Sequence, residues 1–170
     1  MEIFLETPRL LLRPFQLSDA TEMILLNSDP DVIKFTGDEP FKNIQEAENL
    51  IRNYDQYEKY KMGRLTVLLK ETNEYLGWCG LKYLEEANEA DLGFRFHKKH
   101  WGKGFATESS RACLEYGFQK LKLKKIIGRT LKENTASIKV LEKAGMKFER
   151  EEILHGTQAV IYAIENISKK

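Results

Sequence analysis

Cysteine and histidine are scarce in this chain: Cys79 and Cys113, with His97, His100 and His155, are all that 170 residues contain. Neither cysteine lies in a CxxC or Cys/His cluster, so reduced packing thiols are expected rather than a disulfide framework or a zinc site. No histidine has metal-ligand spacing to another ligand, and no metal is expected. A long apolar run is also missing. The longest, Ala159 to Ile164, is six residues, where a membrane span needs about 20. Excess charge of one sign is absent too: 27 Lys and Arg against 26 Asp and Glu leave +1, without the broad basic footprint of a nucleic-acid binder. Met1-Glu2-Ile3-Phe4 begins acidic, with no basic, apolar and small-residue succession of a secretory signal. These absences leave a cytoplasmic protein with no nucleic-acid or membrane partner. Hydrophobic residues at 42% and no low-complexity tract suit a packed core, and the length suits one domain over residues 1–170.

Periodicity divides the chain. Leu10-Leu11-Leu12 between Arg9 and Arg13-Pro14 reads as a short strand. Ser18 is placed to cap a helix carrying Asp19, Glu22, Met23, Ile24 and Leu26, and Asp29-Pro30 ends it. Asn43 and Glu46 resemble a capping box, followed by Ile44, Ala47, Ile51, Tyr54 and Glu58 at helical spacing. The period then becomes two: Leu65–Leu69, Tyr75–Leu84 and Asp91–His97 form an antiparallel meander with short polar turns. Gly77, Gly80 and Gly93 in these strands predict a bulge or a close backbone approach. A helix to about Leu121, a strand at Ile126–Leu131, a helix capped by Asn134 and stopped by Gly145, and a hairpin around His155-Gly156-Thr157 complete the order. The fold class is α/β.

Chemistry concentrates in Trp101-Gly102-Lys103-Gly104-Phe105-Ala106-Thr107-Glu108, between a strand and a long helix. Helix N-termini offer unpaired N–H groups to an anion, and glycines let it approach. Alone, the loop is either an anion site or an empty turn. It is not a dinucleotide fingerprint, because Thr107 occupies the third glycine position, nor a P-loop, because Gly104 replaces the Ser/Thr-side pattern after Lys103. Lys98, Lys99, His100 and Lys103 gather beside it, with the carboxylates expected elsewhere.

The order strand, Gly-x-Gly-x-Ala loop, helix, strand, Asn134-x-x-Ser137, Glu142-Lys143-Ala144-Gly145-Met146 resembles the GNAT superfamily of acyl-CoA N-acyltransferases. The opening Glu6-Thr7-Pro8-Arg9-Leu10-Leu11-Leu12-Arg13-Pro14-Phe15 is similar to the branch of ribosomal-protein N-terminal acetyltransferases. The resemblance implies a twisted, mixed, mostly antiparallel sheet with helices on both faces, and acetyl-CoA as cosubstrate in a cleft between two splayed strands. It implies that Trp101, Gly102, Lys103, Gly104, Phe105, Ala106 and Thr107 wrap the pyrophosphate. Trp101 stands where most of the superfamily has Arg or Gln. The backbone of Phe94, Arg95 and Phe96 would pair with the pantetheine arm beyond a bulge that kinks the strand, and Asn134 would contact CoA while capping its helix.

For the chemistry, the resemblance gives Asp91 as general base, directly or through water, and Ser137 as the group that helps protonate the thiolate. The plain readings are a surface carboxylate and a packing hydroxyl. The tyrosine that many members carry as general acid is Leu141 here; Tyr83, Tyr116 and Tyr162 are substitutes that packing explains more cheaply. Trp78 is a packing residue or a wall of the acceptor pocket. The acceptor is expected against the loop Asn27–Phe41 and the helix behind it. It is first a protein or peptide α-amine, alternatively a polyamine or aminated antibiotic. A CoA-binding sensor without catalysis, and a homodimer, are further alternatives.

Overall fold

The computed structural model describes residues 3–167; Met1, Glu2 and residues 168–170 lie outside it. Eight strands run as β1 (Leu5–Glu6), β2 (Leu10–Arg13), β3 (Arg64–Leu69), β4 (Tyr75–Leu84), β5 (Glu89–Phe96), β6 (Lys125–Leu131), β7 (Lys147–Leu154) and β8 (Thr157–Glu165). They form one sheet in the order β1-β2-β3-β4-β5-β6-β8-β7. Every neighbouring pair is antiparallel except β5 and β6. Helices α1 (Ala20–Ser28), α2 (Pro30–Ile33), α3 (Ile44–Arg52) and α4 (Gln56–Tyr60) precede β3, and α5 (Phe105–Gln119) and α6 (Thr135–Lys143) flank β6 in sequence. This is the mixed, mostly antiparallel α/β sheet that the sequence implied.

Strand alternation gives the central sheet two unlike faces. Paired across β2 to β5, Leu12, Val67, Gly77 and Phe96 share one face with Leu65, Cys79 and Phe94, and with Leu81 and Leu92. That face packs against Phe105, Cys113 and Leu114 of α5 and is the apolar core. Both cysteines are buried there, their sulfurs 3.9 Å apart and unbridged. The opposite face carries Arg13 and Thr66, then Arg64, Trp78, Lys82, Asp91 and Arg95. It is polar although helices cover part of it, and the candidate base Asp91 belongs to it.

Local departures from the sequence reading have local causes. Ser18 caps nothing. Leu17–Asp19 form a 3-10 turn, and it is the Asp19 carboxylate that accepts from the Gln16 N–H at 2.8 Å. Asn43 does cap α3, accepting from the Glu46 N–H, but Glu46 returns to the Lys42 N–H and not to Asn43. The long helix expected behind Asn43 breaks at Asn53 into α3 and α4. Tyr54 and Tyr57 face the sheet there: the Tyr54 hydroxyl accepts from Arg64 N–H at 2.7 Å, the Tyr57 hydroxyl accepts from Phe15 N–H at 3.0 Å, and the Phe15, Tyr54 and Tyr57 rings cluster. Pro30 ends α1 and opens α2, a role suited to its missing N–H. The kinking bulge expected in β5 is absent, its register with β4 running unbroken from Phe96 to Glu89. Register shifts lie instead between β3 and β4, at Val67/Leu68 opposite Gly77, and between β7 and β8, at Phe148/Arg150.

Asp19 ties the first helical region to the sheet. Its carboxylate takes both terminal nitrogens of Arg13 at 2.8 Å and the Thr66 hydroxyl at 2.8 Å, besides Gln16 N–H, while 4% exposed. Burial alone would raise its pKa; the bonds from Arg13, Gln16 and Thr66 outweigh that and hold it below the usual value. A depressed carboxyl contributes stability above its unfolded pKa of about 3.9 and loses it as pH falls through the folded value. Asp19→Asn should therefore lower unfolding free energy at pH 7 by about 3 kcal/mol. In urea titrations the gap from wild type should narrow below pH 4, and a pH-independent gap would contradict the ion-pair account.

Candidate active site

The glycine loop is held from outside by the N-terminal segment. The Arg9 guanidinium donates to the Lys103 carbonyl at 2.9 Å and to Glu108 at 3.0 Å, and stacks over Phe105. Thr7 donates to the same Glu108 carboxylate at 2.9 Å. Trp101 Nε1 donates to the Phe96 carbonyl at 2.9 Å, fixing the loop's near end to β5. Gly102 and Gly104 sit at φ +75° and +82°, left-handed positions that favour glycine. Gly104 is the N-cap of α5, and no side chain caps that end. Among the described residues the first-turn N–H groups have no acceptor, as an anion site requires.

These features border a cavity of about 630 Å³, lined by Phe94, Arg95, Phe96, Trp101, Gly102, Gly104, Phe105, Ala106 and Thr107 and, across from them, Asn134 and Ser137. A Cβ at Gly102 would meet nothing within 4 Å, so the backbone there is open to a ligand. Most of the predicted loop residues thus share one cleft, but Lys103 is not among its lining. The basic cluster is less free than its sequence suggested: Lys98 pairs with Asp31 at 2.6 Å and Lys99 with Glu74 at 2.9 Å. Burial holds the His100 imidazole below its usual pKa, hence neutral at pH 7.

The cleft opens because β5 and β6 pair only at Ala90↔Ile126 and Asp91↔Ile127. Beyond Asp91 the strands part, β5 staying with β4 and β6 with β8. On the polar face a second cavity of about 450 Å³ follows the gap. Asn27, Phe35, Thr36, Asp38 and Phe41 contribute from the Asn27–Phe41 segment, with Tyr54 and Trp78 behind them. Phe35, Thr36, Phe94, Arg95, Asn134 and Ser137 line both cavities, so the two meet there.

Asp91 borders this second cavity and is not a surface carboxylate, being 5% exposed. Arg64 lies across β4 and β5 to reach it, donating to Asp91 Oδ2 at 2.7 Å and to the carbonyls of Gly80 and Asp91. A Cβ at Gly93 would collide with that guanidinium, and one at Gly80 with the Gly63 carbonyl. Gly93 leaves the space for the Arg64 guanidinium, and Gly80 the space for the backbone behind it. Asp91 Oδ1 has no hydrogen bond and faces Arg129 Nε at 3.7 Å. Sequence reasoning gave neither Arg64 nor Arg129. Arg64 left no motif, but Arg129 lies two residues beyond Ile127, the partner of Asp91, and therefore on the face of Asp91. Arg95, expected to act through its backbone, also aims its side chain at this cavity, where it binds Asn27 and Asp38. Trp78 lies between the Arg64 and Arg95 guanidiniums.

Asn134 caps α6, its Oδ1 accepting from Ser137 N–H at 3.2 Å, which leaves its amide nitrogen for the cleft. The Ser137 hydroxyl has no hydrogen-bond partner among the described residues. Leu141 is 1% exposed within the core beneath Gly128. Tyr116 donates to the Lys61 carbonyl, Tyr83 bonds Asn88, and Tyr162 packs edge-to-face with Phe148. None of the three borders either cavity. No group of three or more His, Cys, Asp or Glu among the described residues is arranged to hold a metal, and no helix there is long and apolar enough to cross a membrane.

A family model described as an acetyltransferase (GNAT) domain matches residues 9–147. The chain belongs to the GNAT acetyltransferase family. It is an acetyl-CoA-dependent N-acetyltransferase, and the non-catalytic alternative falls away. It is 35% identical over 152 residues to an uncharacterized N-acetyltransferase, p20, of Bacillus licheniformis, covering 88% of this chain and 84% of that protein. The structure of a GNAT-family acetyltransferase from Bacillus anthracis superposes with a TM-score of 0.82 at 29% identity, over 96% of this chain and 99% of that one. A spermidine N-acetyltransferase from Vibrio cholerae, in complex with CoA and spermine, superposes at 0.79 with 22% identity, over 94% and 97%; that likeness is one of fold.

For this GNAT protein the loop geometry makes a direct prediction. Gly104→Val puts a β-branched residue at φ +82°, with its Cβ 3.3 Å from Arg9 Nη2. CoA affinity measured by calorimetry should fall roughly tenfold or more while circular dichroism keeps the fold. Unchanged affinity would remove the loop from the binding site.

Proposed function

We propose that this protein, as a single domain over residues 1–170, transfers acetyl from acetyl-CoA to a primary amine by direct attack in a ternary complex, first a protein or peptide α-amine. The meeting of the two cavities at Phe94, Arg95, Asn134 and Ser137 carries this reading: one chamber suits the cosubstrate and the other the acceptor. The N-terminal motif's likeness to ribosomal-protein N-terminal acetyltransferases supports the α-amine. So does proton chemistry, because an α-amine with pKa about 7.7–8.0 needs less deprotonation than a lysine-type amine at about 10.4. A small-molecule amine is the second reading, favoured by the fold likeness to a structure holding spermine.

Acetyl-CoA supplies an activated acyl thioester. The N–H groups of Gly102 to Thr107 would hold its pyrophosphate, the backbone of Phe94 to Phe96 its pantetheine arm, and the Asn134 amide a further polar contact. Asp91, shorter than the Glu more familiar at this position, would take the amine proton through a water that reaches Oδ1, the oxygen that Arg64 leaves without a hydrogen bond. Ser137, with an uncommitted hydroxyl at the junction, would return a proton to the departing thiolate.

Asp91→Asn keeps an acceptor for Arg64 but cannot take a proton. It should lower kcat about 100-fold, keep CoA affinity, and flatten the rise of kcat/KM with pH. An unchanged pH–rate profile would dismiss Asp91 as the base. Ser137→Ala should reduce kcat about tenfold with CoA affinity intact; wild-type turnover would return Ser137 to a packing role.

A further inference from the structure

The acceptor cavity has a charge of its own. Its lining includes Arg64, Lys82, Arg95 and Arg129 against Asp38 and Asp91, four cations to two carboxylates. Both carboxylates are already spoken for by guanidiniums, Asp38 by Arg95 at 2.7 Å and Asp91 by Arg64 at 2.7 Å. Of the three arginines, Arg64 is bound to Asp91 and Gly80, and Arg95 to Asn27 and Asp38. The Arg129 side chain alone makes no hydrogen bond among the described residues. Its Nε is buried without a hydrogen-bond acceptor and makes only a long ion pair, 3.7 Å from Asp91 Oδ1. The side chain is 30% exposed where it borders the cavity, so its terminal donors are open to a ligand that supplies acceptors.

We infer that the acceptor amine carries a carboxylate, and that Arg129 binds it. This rests on the transfer reading above and specifies its second substrate. A planar fork of donors matches a carboxylate with two parallel bonds. Arg129 sits on β6 just past the point where β5 and β6 part, and Leu131, Asn134 and Ser137 lead from it along the same cavity toward the junction. A ligand anchored there by its carboxylate places its amine on the side of the cavity that meets the cosubstrate cleft. A polyamine finds the reverse of what it needs, because excess cations line the cavity and no carboxylate is free to receive an ammonium group. The carboxylate comes from a free amino acid or from an acidic side chain near a peptide N-terminus; both present the same group to the fork.

Thiol release from acetyl-CoA, followed in steady state with matched acceptors, separates the outcomes. The panel is glutamate against its diamide, peptides beginning Asp or Glu against those beginning Asn or Gln, and spermidine. The expected result is a kcat/KM preference of roughly 30-fold or more for the carboxylate member of one pair; which pair shows it identifies free amino acid or peptide. Arg129→Gln should erase that preference through KM for the acceptor while CoA affinity stays unchanged. Arg129→Lys, keeping charge without the fork, should retain only part of it. Equal use of acids and amides, faster turnover of spermidine, or a preference that survives in Arg129→Gln would overturn this inference and leave acetyl transfer standing. CoA binding with no thiol release for any amine would overturn the transfer reading itself and this inference with it.

Discussion

The parallel contact between β5 and β6 is two residue pairs long, and the site depends on that brevity. Ala90↔Ile126 and Asp91↔Ile127 hold the two halves of the sheet together; past them each strand is committed to its other neighbour by a full antiparallel ladder. Backbone groups of β5 on the open side are consequently free of a partner strand. Buried backbone polar groups are costly unless bonded, so the gap invites a ligand able to bond with a strand edge. Both cavities lie along it, one on each side of Phe94 and Arg95. A longer parallel ladder would have satisfied the edge and closed the site.

Asp91 stands at the last paired position, where the ladder ends and the cavity begins. Its environment is built by absence as much as by presence. Gly93 leaves out a side chain that would collide with the Arg64 guanidinium, and Gly80 lets the β3 backbone that carries Arg64 come close, so that Arg64 reaches Asp91. The same ion pair lies over Trp78 and lines the cavity of the polar face. Removing either partner would strand a buried charge, a loss of about 3–5 kcal/mol in comparable sites. Stability and the geometry of the proposed chemistry therefore rest on one contact.

Much of this was legible from residue order. The meander, the α5 loop, the Asn134 cap and the Gly145 stop follow from period and local chemistry, which act over a few residues. The N-terminal Thr7-Pro8-Arg9 was legible as a family feature but not as a device: its function is to bond Lys103 and Glu108, some hundred positions away in sequence. The break at Asn53 was hidden because tyrosines 54 and 57 continue a helical pattern while their hydroxyls are drawn to Arg64 and Phe15. The basic run beside the loop misled for a similar reason, since Asp31 and Glu74, remote in sequence, neutralise two of its lysines.

By itself the sequence determined the alternation of strands and helices, the glycines that free the loop backbone, and the placing of a helix N-terminus behind them. These are properties of neighbouring residues and of backbone sterics. Only the tertiary structure decided where β5 leaves β6, that Asp91 is an internal ion pair and not a surface carboxylate, and that Arg129 faces it at 3.7 Å with no side-chain hydrogen bond among the described residues. Each of those depends on register between strands separated by a helix. A register is set by the whole sheet and its core, and no single segment carries it.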